Sequence, residues 1–328
     1  MVRMLVMPTK ARRSGTKVMF SGHSESGRVR SINQDSFYVG EVDSGYLAVV
    51  ADGMGGHKTG EVASRKAVDI IKEELEQTSN HPPAALAKAV QAANLDIFDF
   101  SSLHPEHQGM GTTLTTVFID DQVGLVGHVG DSRAYLIRDN HIRQLTSDHS
   151  WVAEQVRQGV ITQDEARRHR LRNVITNALG STQEVKLDIL YFDVKQGDKL
   201  LLCSDGISML LNEDQMKSVI HNFAPEEASQ QLMNEANRRG SPDNITAVVL
   251  EIQNVEERSK KYSLPPSYLE PKSVTIGSTM SGIRKIEEAF PRQDWASKLK
   301  RHPLYPYRLW ILASLYLVLL LVIFALWR

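Results

Sequence analysis

Hydrophobic positions recur with two different periods along the chain, and together they predict a domain of mixed strands and helices. Short apolar runs bounded by glycine, aspartate or asparagine predict strands. These runs cover residues 45–51, 112–119, 123–130, 133–138, 141–145, 187–194, 198–204 and 245–252. The segment "RDNHI", between the fourth and the fifth run, is a hairpin-turn signal. Most strands are therefore expected to follow one another directly.

Apolar residues at helical spacing predict the remaining elements. Residues 60–77 form one such segment, and Pro82 with Pro83 marks the start of a second, because proline is favoured in the first turn of a helix. Further helices are expected near 213–221 and 225–238, and within the polar segment 148–180. Runs of strands separated by a block of two helices predict an α+β fold with antiparallel sheets, whose faces the helix pairs cover.

Composition changes at both ends of this domain, which we place at about 18–252. Residues 1–17 are basic, and their apolar stretch is too short for the core of a signal peptide. A flexible tail is therefore expected. Residues 253–308 contain several prolines and serines and predict a linker. From Val255 to Arg308 there are 11 Lys or Arg against 6 Asp or Glu, an excess suited to anionic lipid headgroups.

Residues 309–327, "LWILASLYLVLLLVIFALW", predict a transmembrane helix of 19 uncharged residues. At ~1.5 Å per residue the helix spans about 28 Å, close to the thickness of the hydrocarbon layer. A buried core helix of this length would normally carry polar positions. Four basic residues precede the segment: Lys298, Lys300, Arg301 and Arg308. The positive-inside rule therefore predicts a single-pass C-terminal anchor in the cytoplasmic (inner) membrane, with the folded domain in the cytoplasm.

Overall charge and cysteine content exclude several classes of function. The formal net charge of −1 gives no general attraction to nucleic acid. Cys203 is the one cysteine of the chain, which excludes an internal disulfide and a cysteine-based zinc cluster. It ends the apolar run "KLLLC" and is expected to be a small buried hydrophobic residue.

The glycine-rich stretch "ADGMGGHKTG", residues 51–60, invites interpretation as a nucleotide-binding loop. A Walker A loop would need glycines at 52 and 57, where the chain has Asp52 and His57. A dinucleotide fingerprint fails as well, because its third glycine position is Lys58. What remains is an acidic residue at the end of a strand, followed by glycines that bring backbone carbonyls close to an ion.

The same arrangement recurs at other predicted strand edges. Asp205 follows "LLLCS", Asp131 follows "HVG", and Asp243 precedes the last strand. A single Asp-Gly is more often a turn, but four aspartates in this setting predict a cluster of hard oxygen ligands for Mg²⁺ or Mn²⁺. Arg30, five residues before Asp35, adds a guanidinium suited to binding phosphate oxygens.

The order of these motifs resembles the metal-dependent protein phosphatases (PPM), the type 2C serine/threonine phosphatases, in their bacterial form. The matching motifs are "RSINQD", "ADGMGGH", "GMGTT", "GDSR", "SDHS", "NALG", "CSDG" and "PDNIT". The resemblance covers about residues 18–252 and leaves out the linker and the anchor. It implies a central antiparallel β-sandwich with paired helices on each side, and a two-metal centre at one end of the sandwich.

The resemblance also implies the metal ligands. Asp52 would bridge two Mn²⁺ or Mg²⁺ ions, the carbonyl of Gly53 would bind one of them, and Asp205 with Asp243 would bind the other. Asp131, together with Asp205, would hold a third, weaker ion.

Other roles implied by the resemblance lie around the metals. Arg30 would bind the substrate phosphate, Asp35 would act through waters around the ions, and Asn244 would orient the preceding aspartate. Residues 148–180 correspond to the family's mobile flap, whose basic run 166–172 would help to choose substrates. A water activated between the two ions would hydrolyse phosphoserine and phosphothreonine, with Arg30, Asp52 and Asp205 as the catalytic residues.

One departure from the family concerns the proton donor. Many members carry a histidine after the Asp-Gly, proposed as the general acid for the leaving alcohol, whereas this chain has Met54. His57 is close in the sequence, with a structural role as the alternative, and water at the metals is another candidate donor. Gln34 stands where some relatives carry glutamate, so a direct metal contact is not expected there.

The leading hypothesis is thus a membrane-tethered phosphatase whose partners are phosphoproteins, membrane lipid and a cognate serine/threonine kinase, with no nucleic acid. The alternative is a catalytically inactive, membrane-tethered phosphopeptide-binding module, which loss of metal aspartates would indicate; none is missing. A two-metal phosphodiesterase or nuclease is the third hypothesis. Near-neutral charge and the lack of a basic, aromatic-rich groove argue against it.

Overall fold

A computed structural model of the protein describes residues 15–43, 45–56, 59–76, 82–120, 122–255, 271–277 and 281–289. The strands are β1 (Lys17–Glu25), β2 (Asp35–Val42), β3 (Gly45–Met54), β4 (Gly111–Thr112), β5 (Leu114–Asp120), β6 (Val123–Val129), β7 (Arg133–Arg138), β8 (His141–Gln144), β9 (Val185–Asp193), β10 (Lys199–Cys203), β11 (Ile245–Asn254) and β12 (Lys272–Ile276). The helices are α1 (Thr59–Glu76), α2 (Pro82–Leu103), α3 (Trp151–Arg157), α4 (Gln163–Arg168), α5 (Asp205–Ser208), α6 (Glu213–Asn222), α7 (Pro225–Arg238) and α8 (Ser281–Ala289).

The strands form two antiparallel sheets that pack face to face. The first has the order β1-β11-β10-β7-β8, and the second has the order β12-β9-β6-β5-β3-β2, with β4 paired to β3. Apolar side chains from both sheets share one core, which includes Ala48 and Val50 of β3 with Leu200 and Leu202 of β10. The α+β fold and its antiparallel β-sandwich are therefore confirmed.

Helices cover the outer faces of both sheets, as predicted. Leu47 and Val49 of β3 share a core with apolar residues of α1 and α2. On the other side, Leu201 and Cys203 of β10 pack with residues of α6 and α7. Because successive side chains of a strand point to opposite faces, a strand covered on both faces is apolar throughout. This explains the unbroken run "KLLLC", and Cys203 is fully buried as expected.

Several element predictions need correction. The segment 148–180 is helical only in α3 and α4, and most of the rest is irregular. Strands β1 and β2 were not predicted, because their glycine, serine and charged residues hide the period of two. The hairpin signal between β7 and β8 is confirmed, since Asp139 and Asn140 both have positive φ, as a two-residue hairpin turn requires.

The linker prediction for 253–308 is wrong for two segments. Strand β12 pairs antiparallel with β9 and extends the second sheet, and α8 packs against α2. Ile276, Ile283 and Ile286 are almost completely buried in the core shared with α1 and α2. The available signals were the alternation of Val274 and Ile276 and the helical spacing of Ile283 and Ile286. The surrounding prolines and serines obscured them.

The predicted tail (1–17) and membrane anchor (309–327) fall mainly or entirely outside the described residues. Within the described ranges, no helix combines the length and the apolar character needed to cross a bilayer. The described residues all belong to one compact unit.

Candidate metal centre

Two carboxylates lie at the same end of the second sheet. Asp35 opens β2 and is the register partner of Asp52 near the end of β3. The backbone of Asp52 is fixed by two threonines: its N–H donates to the hydroxyl of Thr113 at 2.9 Å, and its carbonyl accepts from the hydroxyl of Thr112 at 2.9 Å. The two threonines therefore hold the end of β3 in place beside the site.

Two more carboxylates come from the corresponding end of the first sheet. Asp205 follows β10 and opens the short helix α5, while Asp243 lies just before β11. Ser204 and Thr246 join the two sheet ends, because their hydroxyls donate to Asp35 Oδ2 at 2.7 and 2.6 Å. The sandwich thus brings aspartates from both sheets to one end.

The electrostatics of this end are those of crowded negative charge. Burial raises the pKa of Asp52 well above its ordinary value, and the charges of Asp35, Asp205, Asp131 and Asp243 raise it further. Burial likewise raises the pKa of Asp205 well above its ordinary value, with Asp131, Asp243 and Asp35 as the charged neighbours. The five predicted carboxylates are therefore close enough to act on one another.

Asp131 and Asp35 show the same effect on a smaller scale. Burial raises the pKa of Asp131 to about 7, and the charge of Asp148 adds to this. Burial raises the pKa of Asp35 to about 6, although the two hydroxyls that donate to it act in the opposite direction. A nearby positive charge would favour the ionised form of both groups.

Three buried carboxylate oxygens in the described part of the chain have no hydrogen-bond partner: Asp35 Oδ1, Asp131 Oδ1 and Asp205 Oδ1. Buried polar oxygens without partners are unfavourable, and they are uncommon in folded proteins. Hard, negatively charged oxygen donors of this kind are the ligands that Mg²⁺ and Mn²⁺ prefer. The donor set therefore fits divalent cations.

Gly53 and Gly60 face each other beside Asp52. A β-carbon on Gly53 would collide with the carbonyl of Gly60, and a β-carbon on Gly60 would collide with the carbonyl of Gly53. The N–H of Gly53 donates to the carbonyl of Gln34 at 3.1 Å, which holds the residue whose own carbonyl is the predicted ligand. Only glycine allows β3 and the start of α1 to approach this closely.

Arg30 forms an ion pair with Asp243, which the sequence did not predict. Its Nη2 donates to Asp243 Oδ2 at 2.9 Å, and half of the Arg30 side chain remains exposed. Asn244 holds the other carboxylate oxygen, because its N–H donates to Asp243 Oδ1 at 2.9 Å. Its side chain also binds the 26–34 loop, donating to the carbonyls of Ser26 and Ile32.

The predicted ligands do not close around a single point. Among the described residues, no group of three acidic, histidine or cysteine side chains is arranged to hold one ion by itself. Mg²⁺ usually combines one or two carboxylates with water or substrate oxygens, so an incomplete set of side chains is compatible with such an ion.

A cavity of about 110 Å³ lies between this end of the sandwich and the segment 148–180. Asp131, Asp205 and Asp148 contribute to its lining, as do Arg167 and Arg172 from the basic run. The cavity therefore connects the carboxylate cluster with the segment predicted to be the flap.

Comparison with known proteins gives one family over most of the domain. The profile described as Protein phosphatase 2C matches residues 22–237. The chain belongs to the protein phosphatase 2C family. The serine/threonine phosphatase Stp of Listeria monocytogenes serotype 4b (strain F2365) is 35% identical to it over 235 residues, which cover 70% of this chain and 93% of Stp.

Solved structures agree with this family. Mycobacterium tuberculosis PstP/Ppp, a serine/threonine phosphatase, has a TM-score of 0.68 at 34% identity, covering 72% of this chain and 99% of that one. The catalytic domain of PstP in complex with 2 manganese ions has a TM-score of 0.67 at 33% identity, with 72% and 99% covered. This member of the protein phosphatase 2C family is accordingly a serine/threonine phosphatase.

The ion pair of Arg133 and Asp148 in this phosphatase was not predicted from the sequence. Arg133 Nε and Nη2 donate to the two carboxylate oxygens at 2.9 and 2.6 Å, a bidentate arrangement that joins β7 to the base of the flap. Both residues lie inside quoted motifs, "GDSR" and "SDHS", so their residue types were available but their pairing was not. Arg133 also opposes the rise in the pKa of Asp131.

Two positions close to Asp52 and Gly53 bear on the proton donor for the leaving alcohol. Met54 ends β3, and His57 lies outside the described residues. His128 is buried and interacts with the hydroxyl of Thr115 at 3.0 Å. Burial lowers the pKa of His128 to about 4, which keeps it neutral in the core.

Proposed function

We propose that this phosphatase uses Mn²⁺ or Mg²⁺ to hydrolyse phosphoserine and phosphothreonine in cytoplasmic proteins, while the chain is anchored in the inner membrane. The observation that best supports this proposal is the cluster of buried aspartates at one end of the sandwich. Three of their carboxylate oxygens have no hydrogen-bond partner among the described residues. The manganese ions of the related PstP catalytic domain support the choice of cation.

In this proposal two cations would be held by Asp52, the Gly53 carbonyl, Asp205 and Asp243. Asp131 and Asp205, which line the same cavity, would hold a third. Cations at such a site lower the pKa of water and offset negative charge on phosphoryl oxygens.

The chain's own residues position the reactants. Asp35, whose Oδ2 is already engaged by two hydroxyls, has its partnerless Oδ1 left to orient water. Asn244 orients Asp243. Arg30 exchanges its pairing with Asp243 for the substrate phosphate, to which a guanidinium donates two parallel hydrogen bonds.

The catalytic part of the proposal is tested with the full-length chain in detergent micelles, Mn²⁺ and a phosphothreonine peptide. Asp205→Asn should lower kcat/KM by about 100-fold or more, because preorganised charge contributes on the order of 10²–10³ to such rates. Asp214→Asn, a change of the same chemistry at an exposed position of α6, is the control. Equal turnover by the two variants would exclude the assigned centre.

The same assay separates the alternatives. A phosphopeptide-binding module would bind the peptide without turnover, in the wild-type chain as well as in the variant. A phosphodiesterase would prefer bis-p-nitrophenyl phosphate to the phosphopeptide.

The anchor rests on the uncharged stretch 309–327 and on the basic residues before it. Full-length protein should sediment with membranes and resist carbonate extraction, whereas a chain stopped at Arg301 should stay in the supernatant. A full-length chain that is soluble without detergent would rule out the anchor. A cognate kinase and lipid headgroups are the partners that this location implies.

A further inference from the structure

Strand β12 and helix α8 lie beyond the residues that the family profile matches, yet they are built into the folded domain. In the sheet, Ser273 of β12 is the register partner of Asp188 in β9. Ile276, Ile283 and Ile286 anchor the segment in the core. Strand β12 therefore has a fixed place beside β9, and α8 packs against β12 and α2.

A hydroxyl of this added strand reaches a buried ion pair. Ser273 Oγ donates to Asp188 Oδ1 at 2.5 Å, and the other oxygen of Asp188 lies 3.0 Å from His149 Nε2. The Asp188 and His149 side chains are almost fully buried. Burial alone would raise the pKa of Asp188, but hydrogen bonds from His149 and Ser273 outweigh it and lower that pKa to about 2.

The contacts of His149 define its tautomer. Its Nδ1 lies 3.2 Å from the backbone N of Gly130 and 2.8 Å from the side-chain nitrogen of Asn177, and both of these groups are donors. Nδ1 is therefore the acceptor, and Nε2 carries the hydrogen that is donated to Asp188. The carboxylate of Asp188 thus orients the ring.

His149 joins three parts of the substrate side of the enzyme. Its N–H donates to the carbonyl of Gly130 at 2.7 Å, directly before Asp131, and its carbonyl accepts from the N–H of Thr176 at 2.8 Å. The neighbouring bridge between Ser150 and Ile175 closes the base of the flap. One residue thereby holds both ends of the flap and the backbone that carries Asp131.

We propose that Ser273 is a positioning residue for substrate binding, acting through Asp188 and His149 on the base of the flap and on the Gly130–Asp131 backbone. Strand β12 is then a working part of the enzyme's substrate side. The proposal deepens the proposed function, since it assumes that the flap contacts the phosphoprotein.

The test compares Ser273→Ala with Ser273→Thr and Thr275→Ala in the full-length chain. Ser273 is exposed on an edge strand, so the alanine variant retains its fold. Ser273→Thr keeps the hydroxyl and should behave as wild type. Thr275, two residues further along the same strand and also exposed, is the matched control, because it pairs with Lys186 rather than with Asp188.

Two measurements are informative. In Ser273→Ala the amides of Gly130 and Thr176 should exchange hydrogen about threefold to tenfold faster, because the bond to a charged partner is lost. KM for a phosphothreonine peptide should rise by a similar factor, whereas turnover of p-nitrophenyl phosphate, which is too small to need the flap, should change less than twofold.

The proposal is overturned if Ser273→Ala matches Thr275→Ala in both measurements. It is also overturned if Ser273→Ala lowers the melting temperature and reduces turnover of both substrates equally, because Ser273 would then only stabilise the sheet. Hydrogen exchange needs no catalysis, so a wild-type chain without phosphatase activity would refute the proposed function while the exchange result still decides the role of Ser273.

Discussion

At the scale of single residues, the carboxylates around the site differ in the groups that balance their negative charge. Asp188 and Asp148 have cationic or hydrogen-donating partners within the chain, whereas Asp52, Asp205 and Asp131 are surrounded mainly by other carboxylates. The first pair fastens the flap to the sandwich. The raised pKa values of the second group favour the protonated carboxyls, and a bound divalent cation would favour the ionised ones.

Arg30 is expected to serve the substrate more than the fold. Arg30→Ala should lower kcat/KM for a phosphopeptide by about 10- to 100-fold, mostly through KM, since hydrogen bonds to charged groups contribute about 1.5–3 kcal/mol. Steady-state kinetics checks this, with the exposed neighbour Arg28→Ala as the control. An unchanged KM in Arg30→Ala would show that its pairing with Asp243 is its whole role.

Asp131 makes the stability of the chain in EDTA depend on pH. Burial raises its pKa from 3.8 to about 7, so the folded state holds a proton that the unfolded state releases, and the free energy of unfolding falls as pH rises from about 4 to about 7. Asn cannot titrate, so the Asp131→Asn variant lacks this loss. Its melting temperature relative to that of wild type should therefore increase by a few degrees as pH rises from 5 to 8.

Differential scanning fluorimetry of the full-length chain in EDTA measures this difference. Asp214→Asn, at an exposed position, should differ from wild type by a constant amount across the same range. A constant difference for Asp131→Asn would contradict the raised pKa.

The aspartates that the fold brings together at this end of the sandwich could be recognised in the sequence, because an aspartate at a strand edge next to glycine is a local pattern. It could not show the pairing of Arg30 with Asp243, which joins residues 213 positions apart. The same holds for Arg133 with Asp148 and for His149 with Asp188, since each pair depends on which strands become neighbours.

At the scale of elements, the flap is the least regular part around the site. Its helix α4 begins with a capping box, in which Thr162 Oγ1 accepts from the N–H of Glu165 and Glu165 Oε2 accepts from the N–H of Thr162. Ala166 of this helix lines the cavity. The cap therefore helps to shape one wall of that cavity.

Thr162→Ala should destabilise α4 locally by about 1 kcal/mol, the usual value of a lost N-cap. Tryptic cleavage after Arg167 or Arg168 should become about fivefold faster, while the melting temperature of the whole chain stays within about one degree, because few core contacts depend on α4. Thr162→Ser retains the capping hydroxyl and should be cleaved at the wild-type rate. Equal cleavage of all three chains would disprove the local effect.

Element prediction succeeded where one physical signal dominated and failed where two competed. The helices α1, α2, α6 and α7 follow apolar spacing and helix-start signals, and they lie close to their predicted bounds. Strand β12 was hidden because its partner β9 is about 85 residues earlier, so nothing local favours an extended conformation among prolines and serines.

At the scale of the whole molecule, the metal centre lies where the two sheets meet. Asp35 and Asp52 come from the second sheet, and Asp205 and Asp243 flank strands of the first. A cation bound to both pairs therefore links the two halves of the sandwich, in addition to the hydroxyl bonds from Ser204 and Thr246.

Mn²⁺ should accordingly stabilise the entire fold. At a free concentration of about 100 times its Kd, a ligand that binds only the folded state adds about 2.7 kcal/mol. This corresponds to a rise in melting temperature of roughly 5–10 °C for a domain of this size. Thermal unfolding with Mn²⁺ and with EDTA measures the rise.

Asp52→Asn should lose most of that rise, because Asp52 is the residue assigned to both ions. The exposed Asp214→Asn should keep it. A rise of equal size in wild type and Asp52→Asn would remove Asp52 from the metal centre.

The reciprocal contact of Gly53 and Gly60 has a consequence for how this sequence can diverge. At each position the space for a β-carbon is taken by the backbone of the other, so no change at one glycine can make room for a side chain at the other. Packed positions often change through compensating double substitutions, but Gly53 and Gly60 cannot change in this way. In a randomised library selected for activity, both positions should remain glycine, although Gly60 has no assigned part in the chemistry.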